Sequence, residues 1–255
     1  MIYWGNYDAS TITIFSARGV NGKQVGQITT GLSNPQRLFV DAAHNVYATN
    51  ISNNTITAYH QGQTSPFLTI GTGVSSPTGL TVDAGGTVYC GNVSNDTITV
   101  YPLGQTSPSL TIPVYSSPEY LATDASDNLY ATVGPAVYEF PPGSTKGTNL
   151  KLNVGAPGAL EVDKAGNLIV LDRTTIDYFS PGSTQPSKQI KVSAGLPFAL
   201  ALSGDETTLY VSVNHRGTYV VQDLSYPNGT TLANKLTTGG GEWPLAVSPD
   251  TVLGG

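Results

Sequence analysis

The sequence predicts an all-β fold, a six-bladed β-propeller built from four-stranded blades. Three observations lead to this prediction: a repeat of about 40 residues, four strand signals in each full repeat, and chain ends that complete one another. The last observation indicates that the C-terminal innermost strand pairs with three N-terminal strands and closes the ring.

The repeat starts with a proline, carries an apolar residue three positions later and in most copies ends in aspartate. Its six copies are Pro35–Asp41, Pro77–Asp83, Pro118–Asp124, Pro157–Asp163, Pro197–Ser203 and Pro244–Asp250. Successive prolines are 42, 41, 39, 40 and 47 residues apart. Such spacing is typical of propeller blades, which contain roughly 40 to 50 residues.

Each full repeat contains four short segments rich in β-branched and aromatic residues, separated by Gly, Pro, Asn and Asp. In the second copy, these segments are Thr78–Val82, Thr87–Gly91, Thr97–Tyr101 and Ser109–Ile112. A helix would need an apolar period near 3.6 over ten or more residues, and the sequence has no such window. We therefore expect essentially no helix.

The two ends of the chain complement each other. Met1–Asn6 matches Asn45–Asn50, so the N-terminus supplies three outer strands of a blade, and Pro244–Asp250 supplies its innermost strand. We therefore predict a single β-propeller domain over residues 1–255. One blade combines residues 1–30 and 242–255, and the other five blades span approximately residues 31–72, 73–114, 115–154, 155–193 and 194–241.

The recurring pattern of Pro, two residues, Leu, one residue and Val-Asp, then Gly or Asn before Leu/Val-Tyr, resembles NHL-type six-bladed propellers and the related virginiamycin B lyase-like proteins of bacteria. The resemblance covers nearly the whole chain and implies the six-bladed fold. Because this superfamily includes binding modules, lactonases and a streptogramin lyase, the resemblance implies no single activity.

Composition limits the partners and the location. With 11 basic and 17 acidic residues, the chain has a net charge of −6, which argues against nucleic acid as a partner. No apolar run approaches the ~20 residues of a membrane-spanning helix, so we expect no membrane insertion. We expect an extracellular or cell-surface location, since low charge with abundant Ser, Thr, Asn and Gly is common in secreted bacterial domains; a signal peptide is absent from this chain.

Several repeated residues are expected to be structural. The aspartates at the ends of the innermost strands should accept backbone N–H bonds across a tight turn in which Gly or Asn takes the positive φ: Asp41, Asp83, Asp124, Asp163 and Asp250. A second set shares one strand position and should pack between blades: Leu38, Leu80, Leu121, Leu160, Leu200 and Val247. The single Cys90 is expected to be a buried small apolar residue.

The candidate site lies on the face formed by the loops that lead into the innermost strands and the loops that follow the second strands, over the central channel. Non-repeating polar and aromatic side chains collect there, a mixture suited to stacking on a ligand and fixing its orientation. The candidate ligand-binding residues are Arg37, Glu119, Tyr120, Asp172, Arg173, His215 and Trp243. We expect a non-enzymatic propeller that binds a small molecule, a glycan or a protein on this face. The blades over residues 31–72 and 73–114 are nearly copies of one another, including the identical segments Gly62–Pro66 and Gly104–Pro108. An enzyme would need at least one blade that departs from the repeat, so this regularity favours the binding hypothesis.

Two alternatives stay open. Gluconolactonase-like propellers hold a central divalent cation with Glu, Asn and Asp oxygens, and the resemblance implies that Glu119, Asp172 and Asn50 or Asn92 could do the same in the channel. His215 would then carry a proton in a metal-assisted lyase or lactonase. The other alternative is a structural repeat module that associates through its blade edges. The only cofactor that the sequence suggests is this divalent cation.

Overall fold

A computed structural model describes residues 1–16, 23–192, 195–236 and 242–247; for residues 233–236 and 242–244 it describes the backbone alone. The described residues form short antiparallel strands and no helix, as expected from segments rich in β-branched residues and punctuated by turn-forming residues. None of the described residues belongs to a helix of the length and apolarity needed to cross a membrane.

In chain order, the strands are β1 Ile2–Asn6, β2 Thr11–Phe15, β3 Gln24–Ile28, β4 Pro35–Val40, β5 Val46–Asn50, β6 Thr55–Tyr59, β7 Leu68–Ile70, β8 Pro77–Val82, β9 Val88–Asn92, β10 Thr97–Tyr101, β11 Leu110–Pro113, β12 Pro118–Thr123, β13 Leu129–Val133, β14 Ala136–Phe140, β15 Thr148–Asn149, β16 Pro157–Val162, β17 Leu168–Asp172, β18 Thr175–Phe179, β19 Lys188–Lys191, β20 Leu196–Leu202, β21 Thr208–His215, β22 Thr218–Ser225, β23 Thr231–Leu236 and β24 Glu242–Val247.

These strands form six four-stranded sheets. Blade 1 has the order β24-β1-β2-β3, and blades 2 to 6 follow as β4–β7, β8–β11, β12–β15, β16–β19 and β20–β23. The innermost strand of each blade contacts the innermost strands of both neighbouring blades, so the blades form a closed ring. The predicted six-bladed β-propeller is confirmed.

The ring closes by pairing β24 with β1 in blade 1, as predicted. Ile2 lies opposite Val247, and Trp4 lies opposite Leu245. In blade 2, Leu38 lies opposite Ala48, and Ala48 occupies the strand position that Trp4 has in blade 1. The blade 1 counterpart of Leu38 is therefore Leu245. The expectation that Val247 occupies this position is therefore wrong, because the equivalent residue lies two positions earlier. In β24, Glu242 takes the place that Pro35 has in β4, and Pro244 lies two residues further along the strand. Asp250 lies outside the described residues.

The hydrophobic core is divided among the spaces between blades. Each of six clusters of buried side chains joins two neighbouring blades, and each contains one member of the repeated leucine set. Leu80, for example, packs with residues of blades 2 and 3, and Leu245 packs beside Trp4 between blades 6 and 1. Cys90 is fully buried in this core, as expected. Burial of these apolar surfaces is the main favourable contribution to stability.

The turns after the innermost strands have the predicted carboxylate network. In blade 2, the Asn45 N–H donates to Asp41 Oδ1 at 2.8 Å, while the Asn45 side chain donates to Asp41 Oδ2 at 2.8 Å. The prediction for the positive φ is correct only in part. Gly86 and Gly166 adopt it, but the other described turns place a different residue type there: His44, Asp127 and Glu206.

Blades 3 and 4 approach each other so closely that two glycines are required. A Cβ atom on Gly91 would lie 2.1 Å from the carbonyl oxygen of Pro118, and a Cβ on Gly79 would lie 3.0 Å from the same oxygen. Gly79 and Gly91 face each other in the β8–β9 pair. Their missing side chains therefore let the start of β12 pack directly on the backbone of blade 3.

Candidate functional site

The propeller has two distinct faces. The upper face carries the loops that lead into the innermost strands and the loops between second and third strands, because antiparallel pairing places these at one end of the channel. The lower face carries the turns between innermost and second strands. Each innermost strand also has an extra residue near its upper end, such as Gln36 in β4 and Glu119 in β12. This bulge changes the direction of the side chains at the upper end of the channel.

Two side chains and one backbone carbonyl, from three alternate blades, meet across the upper end of the channel. The Arg37 guanidinium carbon of blade 2 lies 4.0 Å from the centre of the Tyr120 ring of blade 4. The Tyr120 hydroxyl donates to the carbonyl oxygen of Phe198 in blade 6 at 3.3 Å. Two of the predicted ligand-binding residues, Arg37 and Tyr120, are thus brought together, and they contact each other.

Below this contact lies a cavity of about 440 Å³, which extends from Arg37 and Tyr120 to the turns of the lower face. Its walls are the innermost strands. Its lower end is surrounded by mostly acidic residues: Asp41, Asp83, Asp124, Asp163, Lys164 and Glu206. The cavity therefore reaches the lower face, whereas the sequence predicted a site on the upper face.

Glu161 contributes a carboxyl group to the wall of this cavity and is not among the residues predicted from the sequence. It accepts a backbone hydrogen bond from Leu202 of the neighbouring blade, and burial raises its pKa to about 8. A signal for it exists in the repeat, where the corresponding residues are Phe39, Thr81, Ala122, Ala201 and Ala246. A single acid in an otherwise uncharged repeat position indicates a role other than turn formation.

The oxygen atoms proposed for a cation instead anchor the upper loops. Asn50 Oδ1 accepts the Ser33 N–H at 3.0 Å, and Asn92 Oδ1 accepts the Ser75 N–H at 2.9 Å. Asp172 plays the same part in blade 5, where its two oxygens each accept a backbone N–H at 2.7 Å. In all three blades, these oxygens therefore hold a loop by its backbone N–H groups. The residues that the structure describes contain no group of three or more His, Cys, Asp or Glu side chains arranged to hold a metal.

The remaining predicted residues are distributed around the upper face. Glu119 is the exposed bulge residue of β12, and His215 is exposed at the end of β21. Arg173 is exposed in the loop after β17, with a positive φ of 55°. Trp243 lies in β24, but its side chain is outside the described part of the chain.

Blades 5 and 6 carry a basic patch on this face, which we define as Arg173, Lys191, His215 and Arg216. Lys191 lies opposite Thr175 at the end of β19, and Arg216 follows β21. All four side chains are exposed. Within the described residues, the side chains of Arg173, Lys191 and Arg216 form no hydrogen bond or ion pair. Arg173 and His215 are among the residues predicted from the sequence, whereas Lys191 is not, because it lies on an outer strand.

Comparisons with known proteins show the fold and little else. No protein-family profile matches the chain, and no curated protein sequence matches it. Among solved structures, 1376 chains match, so this shape is too widespread to identify a function. One of them is a chain of the crystal structure of a nidogen/laminin complex, with a TM-score of 0.76 and 18% sequence identity over 98% of this chain and 99% of that chain.

Proposed function

We propose that the protein is a binding propeller that holds an acidic segment of a protein partner on the upper face of blades 5 and 6. The observation that carries this proposal is the basic patch, in which Arg173, Lys191 and Arg216 are exposed and have no partner among the described residues. These three cations stand out on a chain whose net charge is −6.

The patch also has an apolar neighbour suited to a protein interface. Leu196 is 68% exposed at the start of β20, where it lies opposite Asn214, next to His215. An acidic segment with an apolar residue could pair its carboxylates with the cations and cover Leu196. Interfaces commonly combine an apolar centre with a polar rim in this way, and complementary charge chiefly speeds association and selects the partner.

The fold supports this proposal in a general way. A chain of similar fold occurs in the nidogen/laminin complex, a complex of proteins. The proposed location is extracellular or on the cell surface, and the NHL-like or lyase-like resemblance of the repeat is compatible with a binding module. We do not favour the metal-assisted lyase or lactonase, because the oxygens of Asn50, Asn92 and Asp172 are bonded to loop backbone.

The test measures binding of a fluorescent decapeptide of glutamate with one central leucine, at low and physiological salt. We expect the double variant Arg173→Glu/Arg216→Glu to lose about 10-fold or more in affinity, and we expect binding to weaken as salt rises. The matched control is Lys23→Glu/Lys146→Glu, which makes the same change in net charge at two exposed lysines outside the patch.

Equal losses in both double variants would overturn the proposal, because only net charge would then matter. Tighter binding of a heparin oligosaccharide than of the peptide would also overturn it, in favour of a sulfated glycan. If sedimentation experiments showed that the peptide binds only to self-associated protein, the result would support the structural-module alternative instead.

A further inference from the structure

A second cavity, of about 310 Å³, lies between blades 3 and 4 and is separate from the basic patch. Most of its wall is apolar and includes two aromatic rings: Tyr89, Val100, Leu110, Leu129, Phe140 and Pro142. Polar groups are few and comprise Ser109, Asp127 and Ser144. A mainly apolar enclosure with a small number of polar groups is the usual form of a small-molecule site.

The cavity occurs where blade 4 departs from the repeat. In blade 3, the Leu103 side chain lies directly against Gly86, so closely that a Cβ on Gly86 would be 2.8 Å from Leu103 Cδ1. The corresponding residues of blade 4 are Pro142 and Asp127, and both line the cavity. Blade 4 thus has a proline ring and a carboxylate where blade 3 has a leucine, 68% exposed, lying over a glycine.

Asp127 is the charged group of this cavity. It occupies the turn after β12 with a φ of 59°, and its N–H donates to the Asp124 carbonyl at 3.1 Å. Its carboxylate has no hydrogen bond or ion pair with any other described residue. Asp127 is only partly exposed, and a carboxylate without a hydrogen-bond partner beside an apolar wall is a suitable counter-ion for a ligand cation.

We propose that this inter-blade cavity binds a small apolar amine, with its hydrocarbon body against Leu110 and Phe140 and its protonated nitrogen at Asp127. The Tyr89 and Phe140 rings would add favourable contact with the cation and with an aromatic body. The volume is at the lower limit of known ligand pockets, so the ligand class is one of roughly nine to fifteen heavy atoms. Arylalkylamines have this size and this combination of charge and apolar surface.

The experiment titrates the whole protein with phenethylamine and with 2-phenylethanol, its uncharged counterpart, and follows binding by calorimetry and ligand-observed NMR. We expect the amine to bind at least 10-fold more tightly than the alcohol. Asp127→Asn should remove that difference while leaving alcohol binding unchanged, because asparagine also tolerates the left-handed backbone conformation. The matched control is Asp96→Asn, which replaces an aspartate of φ 52° on the upper face and should change neither affinity.

A second variant tests the cavity itself. Leu110→Phe adds volume to the wall and should weaken both ligands at least 10-fold in a protein that still melts cooperatively. Equal affinity for the amine and the alcohol, or an Asp127→Asn variant that binds phenethylamine as the natural protein does, would overturn the proposal. An equal loss in Asp96→Asn would also overturn it, because the effect would then follow from net charge.

Discussion

Arg37 and Tyr120 are in contact, with the guanidinium carbon 4.0 Å from the ring centre, although blade 3 separates their two blades. Blade 3 has Gly79 at the corresponding strand position, so it presents no side chain there. The contact therefore joins two blades that are not neighbours, and the Tyr120 hydroxyl extends the connection to Phe198 in a third blade.

The first prediction concerns this connection. Tyr120→Phe removes the hydrogen bond to the Phe198 carbonyl and should lower the free energy of unfolding by about 1 kcal/mol. Tyr120→Leu also removes the ring beneath Arg37 and should cost about 1 kcal/mol more. Urea unfolding of the two variants and the natural protein measures both differences. If Tyr120→Leu were as stable as Tyr120→Phe, the cation–π contact would contribute nothing.

Gly91→Ala tests the close approach of blades 3 and 4. Its Cβ would lie 2.1 Å from the Pro118 carbonyl oxygen, so the blades would have to move apart. We expect a loss of about 3 kcal/mol or more in the free energy of unfolding, measured by urea denaturation. Gly71→Ala is the matched control, because the nearest atom to its Cβ would be 3.9 Å away. A mild effect at Gly91 would show that the blades are not packed this tightly.

Glu161→Gln tests the carboxyl group inside the central cavity. Burial raises its pKa to about 8, whereas the unfolded chain ionises near the ordinary value of about 4.5. Between these values, the unfolded state loses a proton that the folded state keeps, so stability should fall as pH rises from about 4.5 to 8. The glutamine variant lacks this decline and should gain stability relative to the natural protein over that range. Melting temperatures of the variant and the natural protein are measured at pH 5 and pH 8. A difference between the two proteins that is the same at both pH values would contradict the prediction.

Asp163 should show the opposite pH dependence. Burial alone would raise its pKa, but hydrogen bonds from Asn167, Tyr226 and backbone N–H groups outweigh burial and lower it. The carboxylate therefore contributes stability that is present above the unfolded pKa and is lost as pH falls through the folded pKa. Asp163→Asn should destabilise the protein by about 1 to 3 kcal/mol at pH 7 and by less at acid pH.

Unfolding free energies at pH 7 and near pH 3 test that expectation, with Asp8→Asn as the control at an exposed aspartate. A constant difference between Asp163→Asn and the natural protein at both pH values would contradict it.

The fold could be predicted from the sequence because the residues that form the core and the turns recur in each copy of the repeat. Leu80 marks a core position and Asp83 marks a turn, and the same residue types recur at the equivalent positions of other repeats. The last repeat was misaligned because Pro244 matches the motif by residue type while occupying a later strand position. Only pairing with Trp4 reveals the shift.

The candidate site was harder to predict because its contacts join distant parts of the chain. Whether Arg37 meets Tyr120 depends on the absence of a side chain at Gly79 between them, and a repeat alignment does not show that spatial relationship. The anchoring role of Asp172 was also not apparent, since its partners Gly155 and Ala156 lie in a loop without a motif.

The pairing of β24 with β1 has a consequence for biosynthesis. The ribosome makes β1 before any other strand that the structure describes and makes its inner partner after all of them. Blades 2 to 6 can each form from contiguous sequence during translation, but blade 1 cannot be completed until β24 emerges. Until then the nascent chain exposes the backbone edge of β1, a surface that a chaperone could protect from pairing with another molecule.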